Sequence, residues 1–367
     1  MRLREPYKFL MVTRWCIGLL LYGSTSLMAQ TDIMSYTLPN GKVKTVKNAK
    51  DWSQKRAQIL EGMQQVMGPF QDTRNLSAPN AIFLDSVEFS GFIRYRVHLQ
   101  SYPGEVVPIL LYIPKNTAPD KRHAAMLALH GTGAKGKFLT DSSEAGPNRA
   151  TATELAHRGY VVIAPDYPSF GELSNHDFAQ DRFESGTMQA IFNHVRCIDY
   201  LVSRKDVDAD RIGVIGHSLG GHNAMFLGAF DERVKIVVAS CGWTLFENYN
   251  AGKTVTERYG GKLGPWAQDR YMPLVRDKYQ LDAAKMPFNF DEVIGAIAPR
   301  YFFSNSPLND GNFDVEGVKN GVAKASQVYK LLHVNNHLEV HYPDAGHDFP
   351  IAVRQIAYKR IDEVLKK

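Results

Sequence analysis

Cysteine is scarce in this chain, with three residues among 367. Cys16 falls in the N-terminal leader described below, which leaves Cys197 and Cys241. Two cysteines allow one disulfide, too little to frame a domain of this size. We expect two buried free thiols, Cys197 on a helix and Cys241 just after a strand. Blocks of like charge are also missing. The formal net charge is +5, but the basic residues are scattered. No Lys/Arg run carries interleaved aromatics, so no nucleic-acid partner is expected. Internal repeats and low-complexity tracts are absent as well, which argues against a repeat array.

Long apolar runs are lacking too. The nearest approach is Cys16-Ile-Gly-Leu-Leu-Leu-Tyr22, short of the ~20 residues that span a bilayer. Arg2, Arg4, Lys8 and Arg14 precede it, and small residues around Ala29 follow. That order marks residues 1–29 as a cleaved signal peptide. The expected mature chain is exported, to the periplasm or beyond, with no stable membrane insertion.

What remains is an ordinary globular composition, 44% hydrophobic and 22% charged. Residues 30–80 read as an N-terminal extension. Its helix, 47–67, carries an apolar stripe at Trp52, Ile59, Leu60, Met63 and Met67, and Gly68-Pro69 ends it. Runs rich in Val, Ile, Phe and Tyr at 81–89, 92–99 and 106–113 are separated by turn residues, as antiparallel strands would be. From residue 124 the pattern changes. Continuous apolar strands at 124–129, 160–164, 212–215, 234–239, 301–304 and 338–342 alternate with helices at 151–158, 187–203, 220–230, 317–332 and from about 351. This alternation predicts an α/β fold: a mostly parallel central sheet, antiparallel N-terminal strands, and helices on both faces. The catalytic domain is expected over 81–367, with a cap-like insertion at about 242–298.

Gly216-His217-Ser218-Leu219-Gly220 matches G-x-S-x-G between a buried strand and a helix, the context in which that pattern presents a nucleophile. Glycines two residues either side of Ser218 let strand and helix approach where a Cβ would clash. A serine hydroxyl needs a base, and the base needs an oriented acid. His347, at the Gly-marked turn "YPDAGHDF" after the last strand, is the candidate base. His217 and His222 suit packing or pocket lining. The loop "NSPLNDGNFDVEGV" offers Asp310 as the acid. Asp314 is the alternative, though it suits a helix cap as well. Asp344 and Asp348 are too close to His347 in sequence. An oxyanion hole would use the N–H of Leu219 and one from "HGTGAKG", Thr132 or alternatively Gly133. That loop nearly meets a phosphate-binding pattern at Gly131–Lys137, but Phe138 stands where Ser or Thr is required.

These residues bring a family into view. From Ala124 onward the chain resembles the α/β-hydrolase superfamily. "DADRIGVIGHSLGGHNA", "APDYPSFGE", "APRYFFSNSPLND" and "DAGHDFP" are similar to its dienelactone-hydrolase-like and prolyl-oligopeptidase-like branch, which includes acetyl xylan esterases. The resemblance implies Ser218 as nucleophile, Asp310 as acid and His347 as base. It departs from true dienelactone hydrolases, whose nucleophile is cysteine, and the segment before the catalytic domain is too short for a β-propeller. A secreted carboxylesterase acting on carbohydrate-type esters follows, with no metal or organic cofactor. An exported peptidase or amidase, and a non-catalytic binding protein on the same fold, are the alternatives. For the substrate, Trp243, Trp266, Tyr259 and Tyr271 are candidates for stacking on sugar rings and Arg270 for pairing with a uronate, against plainer roles in cap packing and surface charge. Nothing in the sequence sets the oligomeric state.

Overall fold

The computed structural model describes residues 32–115 and 122–366. The leader read at 1–29 lies outside them. A small antiparallel hairpin, β1 (Ser35–Thr37) and β2 (Val43–Thr45), precedes helix α1 (Ala49–Met67). The Asn48 side chain caps α1 by accepting the Asp51 N–H at 3.0 Å.

Three strands follow, β3 (Ala81–Glu88), β4 (Phe92–Tyr102) and β5 (Glu105–Pro114). Then come β6 (His123–Leu129), α2 (Thr151–His157), β7 (Val161–Pro165), α3 (Gly186–Ser203), β8 (Val207–His217), α4 (Leu219–Phe230) and β9 (Val234–Ser240). After β9 lie α5 (Lys253–Arg258), α6 (Leu274–Asp277) and α7 (Phe290–Ile297). The chain continues through β10 (Tyr301–Asn305), α8 (Val315–Leu331), β11 (Leu338–His341) and α9 (Ile351–Leu365).

The strands from β3 to β11 form one sheet in the order β11-β10-β9-β8-β6-β7-β5-β4-β3. Pairing is parallel from β7 through β6 to β11 and antiparallel among β3, β4, β5 and β7. The alternation of side chains along each strand divides the core in two. Leu127, Val214 and Val237 face α1, α3, α4, α7 and α8 in one cluster. Met126, Ile215 and Val238 face α2 and α9 in the other. Burial on both faces explains why these strands are apolar throughout.

The residues read as a cap divide physically. Helix α7 is buried along its whole length and packs on α4 and α8, while α1 packs on α7 in turn. Lys55 of α1 pairs with Glu292 at 2.7 Å, and Arg56 donates to the carbonyls of Ala229 and Ala296. Residues between Tyr249 and Tyr271 instead line a cavity beside Ser218. Cys197 and Cys241 are both free and buried. No helix among the described residues is long and apolar enough to cross a membrane.

Candidate active site

Ser218 sits between β8 and α4 with φ +58° and ψ −120°. A non-glycine residue in this region costs on the order of 1–3 kcal/mol, which the surrounding packing must impose. The glycines show how tightly. A Cβ on Gly216 would stand 2.0 Å from the Gly220 carbonyl oxygen, and one on Gly220 would stand 2.1 Å from the Leu129 oxygen. The strand and helix meet there only because neither residue has a side chain. The Ser218 N–H donates to the Ser240 carbonyl at 2.8 Å, tying the elbow to β9.

Leu219 follows at the first helical position, where its N–H has no intrahelical acceptor. The loop after β6 runs against the elbow, since a Cβ on Gly131 would lie 3.6 Å from the Ser218 Cβ. The N–H groups of Leu219, Thr132 and Gly133 carry no hydrogen bond among the described residues. The Thr132 hydroxyl meets the Tyr271 hydroxyl at 3.2 Å.

This loop is held by a buried ion pair that the sequence reading missed. Asp166, just after β7, accepts the Lys137 N–H at 2.8 Å, and its other oxygen meets the Lys137 ammonium. Lys137 also reaches Glu172 at 2.6 Å. The near-match to a phosphate loop is thereby explained, because the lysine that would meet phosphate is sealed against Asp166.

The structure brings Asp310 and His347 together from the loops after β10 and β11. His347 Nδ1 lies 3.0 Å from both Asp310 carboxylate oxygens. The Asp310 side chain is 1% exposed. Burial works to raise its pKa. The His347 hydrogen bond and charge, the Asn312 N–H and the Cys241 thiol outweigh burial, and hold it below the usual carboxylate range. Asp314 is placed elsewhere, capping α8 by accepting the Gly317 N–H at 2.9 Å. The loop carrying His347 is fixed by Arg149, which donates to the His347 carbonyl at 3.0 Å and to Asp348 at 2.6 Å.

No hydrogen bond joins the Ser218 hydroxyl to His347 among the described residues; contacts of this kind commonly tighten once substrate is bound. His217 is buried beside them, its Nδ1 3.0 Å from the Ser240 hydroxyl and its ring 4.9 Å from that of His347. Burial, then Arg149 and His347, push its pKa well down, so it stays neutral. Donor atoms of Cys241, Asp310 and His347 lie within 4.8 Å of one another. Burial and the Asp310 charge push the Cys241 thiol up.

Beside Ser218 opens a cavity of about 230 Å³, lined by Thr132, Leu219, His222, Trp266 and Tyr271 among others. Two of the sequence-predicted substrate contacts do not reach it. Trp243 is 1% exposed. Its Nε1 donates to Ser304 at 3.0 Å, and its ring packs on Phe290 and Phe302. It follows a strand buried on both faces, so its apolar ring turns into the core. Arg270 lies over the Phe170 ring at 5.5 Å and does not line the cavity. Trp266, Tyr259 and Tyr271 do line it. A larger groove of about 850 Å³ lies between Phe70, Arg74, Phe230 and Arg233. Phe230 ends α4, roughly 18 Å from Ser218 by helical rise.

Fold, elbow and Asp–His pair together define an α/β-hydrolase with the build of a serine hydrolase. Comparison with known proteins narrows this. A family profile described as glucuronyl esterase, fungi, matches residues 178–333. The chain is 28% identical over 183 residues to a putative hydrolase, YtaP, of Bacillus subtilis, covering 48% of this chain and 55% of that protein, so it spans about half that relative's length. It is 24% identical over 359 residues to the carbohydrate esterase MZ0003 of an unknown prokaryotic organism, covering 83% of this chain and 80% of that one. Among solved structures, a glucuronoyl esterase from Solibacter usitatus superposes with a TM-score of 0.67 at 19% identity, covering 91% of this chain and 98% of that one. These likenesses agree with the α/β-hydrolase fold of the chain.

Proposed function

We propose that this protein is an exported serine esterase that removes acyl or methyl ester groups from carbohydrate substrates. The observation that carries the reading is His347 Nδ1 held at 3.0 Å by both oxygens of Asp310. With Nδ1–H donated to the carboxylate, Nε2 is left as the base for a serine.

Ser218 Oγ attacks the ester carbonyl carbon as His347 Nε2 takes its proton, and Asp310 stabilises the imidazolium. The N–H groups of Leu219 and Thr132 hold the tetrahedral oxyanion. His347 then gives its proton to the departing alkoxide oxygen as the C–O bond breaks. Water, deprotonated by the same imidazole, releases the acid from Ser218.

The names of the relatives, carbohydrate esterase and glucuronoyl esterase, support the carbohydrate part of the reading. So do the aromatic walls of the cavity, which suit the apolar face of a sugar ring. The leader at residues 1–29 supports export.

The test compares wild type with Ser218→Ala on p-nitrophenyl acetate, acetylated xylan and a methyl hexuronate. Wild type is expected to release acid from at least one sugar ester, and Ser218→Ala to lose at least about 10³-fold in kcat. Equal rates for the two proteins would refute the mechanism. Cleavage of p-nitrophenyl acetate alone would refute the carbohydrate assignment.

A further inference from the structure

The loop after β6 starts at His130, which is 1% exposed and does not line the cavity beside Ser218. Its Nδ1 lies 2.7 Å from the carbonyl oxygen of the next residue, Gly131. A carbonyl oxygen only accepts, so Nδ1 carries the hydrogen and donates it. Resting on the serine esterase reading above, we propose that His130 is a positioning residue for the oxyanion hole. By holding the Gly131 carbonyl, it turns the Thr132 N–H towards the place where the oxyanion forms.

Four observations support this. The Gly131 C=O and the Thr132 N–H belong to one peptide unit, which is planar and trans. They point in opposite directions, so an anchor on the oxygen fixes the direction of the N–H. Second, the unit lies at the elbow. A Cβ on Gly131 would stand 3.6 Å from the Ser218 Cβ, Thr132 lines the cavity with Ser218 and Leu219, and the Thr132 N–H carries no hydrogen bond among the described residues. Third, His130 is itself held. Its ring stacks on that of Tyr167, with centroids 3.9 Å and planes 13° apart, and the Tyr167 hydroxyl donates to the His130 carbonyl at 3.1 Å. Fourth, packing alone does not call for histidine. Nε2 is buried without a hydrogen-bond partner among the described residues, a cost that an apolar ring would not carry. Burial lowers the imidazole pKa to about 4, with the Gly131 bond opposing and the Lys137 charge assisting. The ring is therefore neutral at working pH, and its one hydrogen sits on Nδ1.

The sequence around Thr132 makes such an anchor necessary. Gly131 and Gly133 flank it, and glycine leaves the backbone free to turn. The Thr132 hydroxyl meets the Tyr271 hydroxyl at 3.2 Å, which holds the side chain but not the peptide plane before it. His130 supplies that second restraint. A donor already aligned when negative charge develops needs no reorganisation at that moment, which is the source of its effect on rate.

The experiment measures kcat and KM on p-nitrophenyl acetate for wild type, His130→Phe, His130→Asn and His130→Gln. End-point labelling of Ser218 with a fluorophosphonate counts the competent sites in each, and urea midpoints report folding. An aryl trifluoromethyl ketone probes the oxyanion hole. Ser218 Oγ adds to its carbonyl carbon, the serine proton passes to His347, and the carbonyl oxygen becomes the oxyanion. His130→Phe keeps a ring on Tyr167 but no donor. It should lower kcat per competent site by about 10–100-fold with KM within about twofold, since it misaligns an oxyanion donor without removing it. The ketone should bind more weakly by about the same factor. His130→Asn places an amide N–H where Nδ1 stands and should recover at least about fivefold of the loss, whereas His130→Gln, whose amide reaches the Nε2 position, should not. Wild-type kcat in His130→Phe, or a lost kcat with unchanged ketone affinity, would overturn the role of His130. If His130→Phe does not fold, the contrast between His130→Asn and His130→Gln decides, and equal kcat in those two overturns the donor role. A wild type that turns over no ester would sink the esterase reading and this inference together, while an active wild type with an unaffected His130→Phe sinks the inference alone.

Discussion

Asp310 and Asp314 stand four residues apart in one loop and meet different partners. Asp310 is buried against His347, and Asp314 caps α8. The two functions separate on substitution. Asp310→Asn should lower kcat by about 10³–10⁴-fold, because an amide no longer stabilises the imidazolium and favours the wrong tautomer. Asp314→Ala should retain kcat and lose about 1 kcal/mol of stability, the usual cost of an N-cap. Steady-state kinetics and urea unfolding on both variants check this. The sequence identified the loop because it follows a strand of the sheet and turns at Gly311. It left the choice between two carboxylates open, because only the folded loop shows which one faces the histidine. Trp243 carries the opposite lesson. Its neighbours in sequence look like cap, yet its ring lies in the core beside Ser304. A residue at the end of a strand buried on both faces has no periodicity to reveal its direction.

At the scale of elements, one loop of the site is braced by a buried ion pair. Lys137 and Asp166 are 1% and 0% exposed in their side chains, and together they fix the loop that carries Thr132. Lys137→Met should destabilise the protein by about 3–5 kcal/mol, because it leaves a buried carboxylate without its partner. Lys137→Met with Asp166→Leu should recover part of that loss, since the unpaired charge is then gone too. Denaturant midpoints of the single and double variants decide it, and equal stability of the two would count against a paired role. The Gly216 position is less forgiving. With the Gly220 carbonyl 2.0 Å from where a Cβ would stand, Gly216→Ala should give little soluble protein. The glycine spacing around Ser218 was legible because the elbow is local in sequence. The Lys137–Asp166 pair was not, for its partners lie on separate strand ends that only the sheet brings side by side.

For the whole molecule, the segment before the sheet is part of the body rather than an appendage. Helix α1 packs on α7, and near that contact lies Asp291, 4% exposed with one carboxylate oxygen unpaired. Burial, helped by the Glu292 charge, raises its pKa to about 7. The folded chain therefore binds this proton more tightly than the unfolded chain does. The resulting stabilisation is complete below the unfolded value near pH 4 and is lost as pH rises through about 7. Asp291→Asn removes the charge that must form in the folded state at high pH. It should gain on the order of 2 kcal/mol over wild type at pH 8 and little at pH 4, read by urea unfolding at both pH values.

By itself the sequence determined the alternation of strands and helices, the elbow at Ser218, and the order serine, acid, histidine along the chain. It could do so because buried strands must be apolar and a sharp turn must be glycine-flanked, both properties of short stretches. Tertiary structure alone decided the strand order β5-β7-β6-β8, the seating of α7 in the core, and the choice of Asp310 over Asp314 as partner of His347. It also decided which aromatic rings face the cavity. These depend on contacts between residues distant along the chain, such as Arg149 and Asp348, whose proximity is set by the packing of the whole sheet.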